Sequence, residues 1–95
     1  MTRTLIIRPE AEADLAEAAA WYARVGHEQR FEQRINDALT RIAAGPLQFP
    51  VVYEVVRRAL VRRYPYAIFF VTETERVVVL AIFHQRRDPA SWPHR

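Results

Sequence analysis

Arginine is the residue type on which this sequence can build chemistry. All 14 of its Lys-or-Arg positions are Arg. Arg57, Arg58, Arg62 and Arg63 flank the apolar step Ala59-Leu60-Val61, and Arg86 and Arg87 follow the apolar run Val77 to Phe83. A guanidinium presents a planar fork of donors that grips carboxylates and phosphates two bonds at a time. Such clusters therefore suit anionic surfaces. One well-formed charge-assisted hydrogen bond contributes about 1.5 to 3 kcal/mol, so three or four could anchor an acidic partner. Tyr64, Tyr66 and Trp92 stand near these arginines in sequence as candidate stacking neighbours. The plainer reading is a solvated basic surface with weak ion pairs such as Arg87 to Asp88.

Other chemistry has little to stand on. The chain has two glycines, Gly26 and Gly45, and so no Gly-rich phosphate loop. It has no Cys, which excludes a thiol nucleophile, a disulfide framework and a Cys-based zinc site. Ser91 is the only Ser and lacks the strand-turn-helix setting of a nucleophile elbow. His27, His84 and His94 lack metal-ligand spacing. Glu10, Glu12, Asp14 and Glu17 cluster at an expected helix start, where the helix dipole accounts for them. No metal and no cofactor is expected.

Ninety-five residues make one domain, 1–95, with a thin core. The net charge is +3, unevenly spread. Met1 to Gln48 holds six Arg and seven acids; Phe49 to Arg95 holds eight Arg and four acids. The second half is therefore the basic half. The longest apolar run, Val77 to Phe83, is far short of the roughly 18 residues a membrane span needs. The first ten residues carry no long apolar block of the kind a signal peptide needs. A soluble cytoplasmic protein is the expectation.

The elements that must position the arginines follow from hydrophobic period. Leu5, Ile6 and Ile7 read as a short strand within Arg3 to Arg8, with Pro9 opening a helix. Ala11, Leu15, Ala18, Ala19 and Tyr22 give that helix, Pro9 to Arg24, one apolar face. A second helix, Glu28 to Ala44, turns Phe31, Ile35, Ala38, Leu39 and Ile42 to one side and stops at Gly45-Pro46. The short link makes the two antiparallel. The period then changes to two. Val52 to Val61, interrupted at Arg57-Arg58, Tyr64 to Thr72, and Arg76 to His84 read as strands, with Glu73-Thr74-Glu75 as a turn. Val77 to Phe83 is apolar at every position, which predicts a central strand covered on both faces, or covered by helices on one face and by the tail or a partner on the other. Gln85 to Arg95 is a polar tail, with room for one helical turn around Ala90 to Trp92. The fold class is α+β, in the order β-α-α-β-β-β: an antiparallel sheet on a helical hairpin, with a short C-terminal tail.

Two segments make the sequence recognisable. VVVLAIFHQRRDPASW, from Val77 to Trp92, looks like the closing strand and exit of toxins in the RelE/ParE superfamily, and LVRRYPYAIFFV, from Leu60 to Val71, looks like the strand before it. The start, a short strand and then a helix opened near Pro9 and carrying Trp21-Tyr22, is similar too. The resemblance implies a plasmid-stabilisation type of toxin held in a hetero-oligomer by an antitoxin encoded beside it. It implies one of two activities: cleavage of messenger RNA on the ribosome, as in RelE-like members, or blockade of DNA gyrase, as in ParE-like members. RelE-like enzymes place an Arg at the position of Ala67 and an aromatic hydroxyl where this chain has Trp92. Arg87, or Arg86 by a one-residue shift, matches the family's basic residue after the last strand. His84 is the remaining candidate base, although a strand-end His more often has a structural role.

The departures at Ala67 and Trp92 favour a ParE-like gyrase inhibitor neutralised by a ParD-like antitoxin, without enzymatic activity. Arg62, Arg63, Arg86, Arg87 and Trp92 are then its target- or antitoxin-binding residues. An endoribonuclease using His84 with Arg86 or Arg87 is the alternative, and an inactive binding module of the same fold is a third. The grooves beside the Ala-rich first helix suit an amphipathic antitoxin helix, and the basic rim suits an acidic segment of it.

Overall fold

A computed structural model describes residues 2–86. Two helices lie on one face of a five-stranded sheet. The elements are β1 (Thr4–Ile7), α1 (Pro9–Ala23), α2 (Glu28–Ala44), a 3-10 turn at Pro46–Gln48, β2 (Val51–Tyr53), β3 (Val56–Leu60), β4 (Tyr66–Thr72) and β5 (Arg76–His84). The strands are ordered β1-β5-β4-β3-β2. Among the described residues no helix is long and apolar enough to cross a membrane.

The helices form as their periodicity predicts. Pro9 opens α1 with its φ already set, and Glu10 and Glu12 fill the first turn. Ala11, Ala18, Ala19 and Tyr22 of α1 are buried, as are Phe31, Ile35, Ala38, Leu39 and Ile42 of α2. The alanines let α1 lie close on the sheet. Gly26 takes φ +75 between the helices, a left-handed conformation that L side chains rarely adopt. The His27 N–H there donates to the Tyr22 carbonyl at 2.9 Å. Phe31 stacks on Tyr22 with 4.6 Å between ring centroids, and Tyr64 and Tyr66 meet both rings edge-on. This aromatic cluster closes one end of the core.

The sheet departs from the sequence expectation in three ways. First, Val52 to Val61 is two strands rather than one. The chain breaks at Glu54-Val55, and Arg57 and Arg58 sit inside β3. Tyr53 pairs with Val56 across this two-residue hairpin. Glu54 holds φ +51, a conformation usually given to Gly or Asn, so the turn carried no recognisable residue signal. Second, the sheet is not wholly antiparallel, because β1 runs parallel to β5, from Thr4 opposite Arg76 to Ile7 opposite Val79. This pairing joins residues some seventy positions apart, which local pattern does not reveal. Third, β5 bulges. Phe69 faces Ala81 and Phe70 faces Val79, so Leu80 is an extra residue. Leu80 and Ala81 both lie in the second-face cluster, after which Ile82 returns to the helix-facing core.

The apolar run of β5 is buried on both sides, as expected. Val77, Val79 and Ile82 pack under the helices. Leu80, Ala81 and Phe83 join Val56, Ala67 and Phe69 on the opposite face.

The bulge also sets the edge of β5. β1 covers that edge only as far as Val79, whose carbonyl accepts the Arg8 N–H at 3.1 Å. Beyond it, the Ile82 N–H turns toward α1 and donates to Asp14 Oδ2 at 3.1 Å. A side chain of α1 thus takes over from a strand. Replacing Asp14 by Ala leaves that buried donor without this acceptor, at a cost of about 1 to 3 kcal/mol. Asp14→Asn keeps a carbonyl acceptor and should recover most of the loss. Urea unfolding of the two variants checks this; equal losses would show that the acceptor is not what matters.

Candidate functional site

The end of the sheet where β3 stops, β4 starts and β5 stops gathers the expected site residues. Val61 N–H donates to the Tyr66 carbonyl at 2.9 Å and closes the β3–β4 turn. Arg62 and Arg63 project from this turn and are exposed; they lie in no strand. Arg63 holds φ +69, so its backbone is strained where it presents its charge. Gln85 N–H donates to the Pro65 carbonyl at 2.8 Å, which ties the exit of β5 to the same turn. Arg62, Arg63, His84 and Arg86 therefore share one rim. Arg87 and Trp92, the other two expected site residues, lie outside the described residues, as does the expected helical turn at Ala90 to Trp92.

Arg57 and Arg58 point to opposite faces, as the strand period requires. Arg57 turns to the helix side, where Nη1 donates to the Phe49 carbonyl at 2.6 Å and fastens the segment after the 3-10 turn. Arg58 lies across from Phe69 on the other face, and its Nε is buried without a hydrogen bond. These two serve the sheet rather than the rim.

His84 sits on the helix side, 5.7 Å from the Tyr66 ring between centroids. Its Nδ1 accepts the Arg86 N–H at 3.2 Å. That contact ties the imidazole to the backbone at the exit of β5. Ala67 is 0% exposed and faces Phe83 across the ladder on the second face. It offers no functional group. Among the described residues no group of three or more His, Asp or Glu could hold a metal ion.

His84 also lines a groove of about 490 Å³ between α1 and the end of β5, with Asp14, Glu17, Trp21, Arg24 and Tyr66. Trp21 is 54% exposed there, a large flat apolar surface beside charge of both signs. A groove beside the Ala-rich first helix was expected, but Trp21, Glu17 and Arg24 were not singled out as its site residues. A Trp beside the buried Tyr22, on the polar side of an amphipathic helix, was the signal available.

The tyrosines behind the rim are held protonated. Burial raises Tyr22 above the ordinary Tyr value, and the nearby Tyr66 and Tyr64 add to it. Burial, then the charge of Glu17, raises Tyr66. The site therefore offers cationic forks, hydrogen-bond donors and an exposed indole, chemistry that is complementary to anionic and mixed surfaces.

A model of one family, the ParE toxin of type II toxin–antitoxin systems, matches residues 5–89. Comparison with curated proteins gives no match. Among solved structures, the chain is similar to one from a chromosomal ParDE toxin–antitoxin system of P. aeruginosa. The identity is 19% and the TM-score 0.75, covering 87% of this chain and 96% of that one. It is also similar to one from the toxin–antitoxin complex RelBE2 of Mycobacterium tuberculosis. There the identity is 21% and the TM-score 0.57, covering 88% and 99%.

The raised tyrosines fix a pH dependence. The unfolded chain ionises Tyr near pH 10, while folded Tyr22 and Tyr66 ionise higher. Their contribution to stability is complete below about pH 10 and is lost as the pH rises through the folded values. The urea midpoint should fall between pH 9 and pH 11, and fall less in Tyr22→Phe/Tyr66→Phe. An equal fall in that variant would assign the effect to other groups.

Proposed function

This chain belongs to the ParE toxin family of type II toxin–antitoxin systems, and on that premise we propose that it acts by binding DNA gyrase, without cleaving RNA, and is silenced by a ParD-like antitoxin. The observation that carries the choice of target is Ala67. At the place where the RelE-like pattern asks for an Arg on the scissile phosphate, this chain has a methyl group buried opposite Phe83. Phosphodiester cleavage needs charge stabilisation together with proton transfer. His84 Nδ1 accepts the Arg86 N–H, a structural contact at the strand's end.

In this reading Arg62, Arg63 and Arg86 form the binding rim, and Arg87 and Trp92, which follow in sequence, share its role. These residues bind the antitoxin at rest and the target when the toxin is free. The fold similarity to chains from toxin–antitoxin systems supports a hetero-oligomer as the resting state. The cytoplasm, which holds gyrase, is the compartment this reading requires.

Induced expression tests the target. Gyrase blockade should raise DNA-damage signalling and filamentation while translation continues. Collapse of translation with cut messages and no DNA damage would establish the endoribonuclease instead, and no toxicity at good soluble yield would leave only a binding module. Replacing Arg86 and Arg87 together by Ala should weaken toxicity while the chain stays folded by circular dichroism. Full toxicity in that variant would remove the exit of β5 from the effector surface.

A further inference from the structure

Along the outer side of α2 lies a second set of arginines that the rim does not include. Arg30 and Arg34 are four residues apart, one helical turn of about 6 Å. Two shallow grooves run between them and the β3–β4 turn. One, of about 360 Å³, is lined by His27, Arg30, Gln33, Arg34, Arg63 and Tyr64. The other, of about 350 Å³, is lined by Arg34, Asp37, Thr40, Arg41 and Arg62. Arg34 belongs to both, so the two form one strip. The strip holds five arginines and a single carboxylate, Asp37. Ion pairs among the described residues are Arg8 with Glu10 and Arg76 with Glu73, so none of the five is neutralised in that way. Arg41 is partly engaged, with Nη2 donating to the Leu60 carbonyl at 3.4 Å and its guanidinium over the Phe49 ring. Arg30, Arg34, Arg62 and Arg63 have no such partner among the described residues.

We infer that this strip is a docking track for an acidic polypeptide segment. The inference rests on the antitoxin reading above, and assigns the segment to the antitoxin. Three features favour a peptide over a nucleic acid. Asp37 interrupts the positive run, and a continuous phosphate chain would meet it with like charge. Among the described residues no exposed aromatic ring lines the track to stack a base, since Tyr64 is half-buried and packed edge-on against Tyr22 and Phe31. Arg30, Arg34 and Arg63 line one groove and Arg34, Arg41 and Arg62 the adjoining one, which suits two carboxylates roughly one helical turn apart. The segment should therefore carry two acids at that spacing and a hydrogen-bond donor opposite Asp37 and Thr40.

The test compares the full chain with Arg30→Glu/Arg34→Glu/Arg62→Glu/Arg63→Glu and the milder Arg30→Gln/Arg34→Gln. Arg8→Glu, beside edge strand β1 and in neither groove, is the charge control. The probes are the protein encoded by the adjacent reading frame and, separately, a duplex and a single-stranded oligonucleotide. Calorimetry is run across a salt series, with thermal unfolding confirming the fold of each variant. The expected result is an affinity for the adjacent-frame protein lowered about tenfold to a hundredfold in the fourfold variant, with a flattened salt dependence. The double variant should move in the same direction and Arg8→Glu should not. Tight binding by wild type and fourfold variant alike overturns the track and leaves the antitoxin reading standing. No binding by the wild-type chain overturns the antitoxin reading itself. Loss of oligonucleotide binding alone overturns the assignment to a peptide.

Discussion

The sheet depends on how the outer edge of β5 is satisfied. β5 is nine residues long and β1 is four. A strand edge left open exposes backbone donors and acceptors and invites unwanted pairing. Here the edge is divided. β1 takes the first part, and the chain then turns at Pro9 into α1, whose Asp14 reaches the Ile82 N–H. One carboxylate therefore ties the first helix to the strand that carries the site. Because α1 covers this half of the edge with side chains rather than backbone, it leaves the groove in which Trp21, Glu17 and His84 meet.

That handover works only because of the bulge at Leu80. In strict alternation, Ile82 would share a face with Leu80. The extra residue lets Leu80 and Ala81 both occupy the second face and returns Ile82 to the helical side. It sets His84 beside Tyr66 and leaves Phe83 opposite Ala67. The chemistry available at the strand's end is a consequence of one inserted residue some four positions earlier.

Much of this was legible in the sequence. Helix boundaries and buried faces followed from the apolar period, the Pro at α1's start and the Gly-Pro at α2's end. Arg57 and Arg58 faced opposite sides because a strand's period is two. What escaped had physical reasons. The Glu54 turn uses a positive φ without Gly or Asn. The parallel pairing of β1 with β5 is long-range and has no local signature. The bulge is invisible where every residue of the run is apolar, because alternation cannot be read from Val77 to Phe83. At the site, Arg62 and Arg63 fell between the two expected strands, where the structure has a turn, and Arg30 and Arg34 were not singled out.

The exclusive use of Arg bears on what such a surface can recognise. A Lys-rich surface would attract anions as point charges with little demand on geometry, whereas guanidinium forks discriminate by shape. The few acids of the basic half include Glu73, which is bound to Arg76 beyond the opposite end of β4 from the rim. The arginines of the rim and of the grooves beside α2 thus have no ion-pair partner among the described residues. A thin core with no disulfide gains most from such a partner, because anything that binds only the folded state stabilises it by mass action. In a ParE-family toxin, an acidic partner held on this basic surface would therefore add stability to the small fold that carries it.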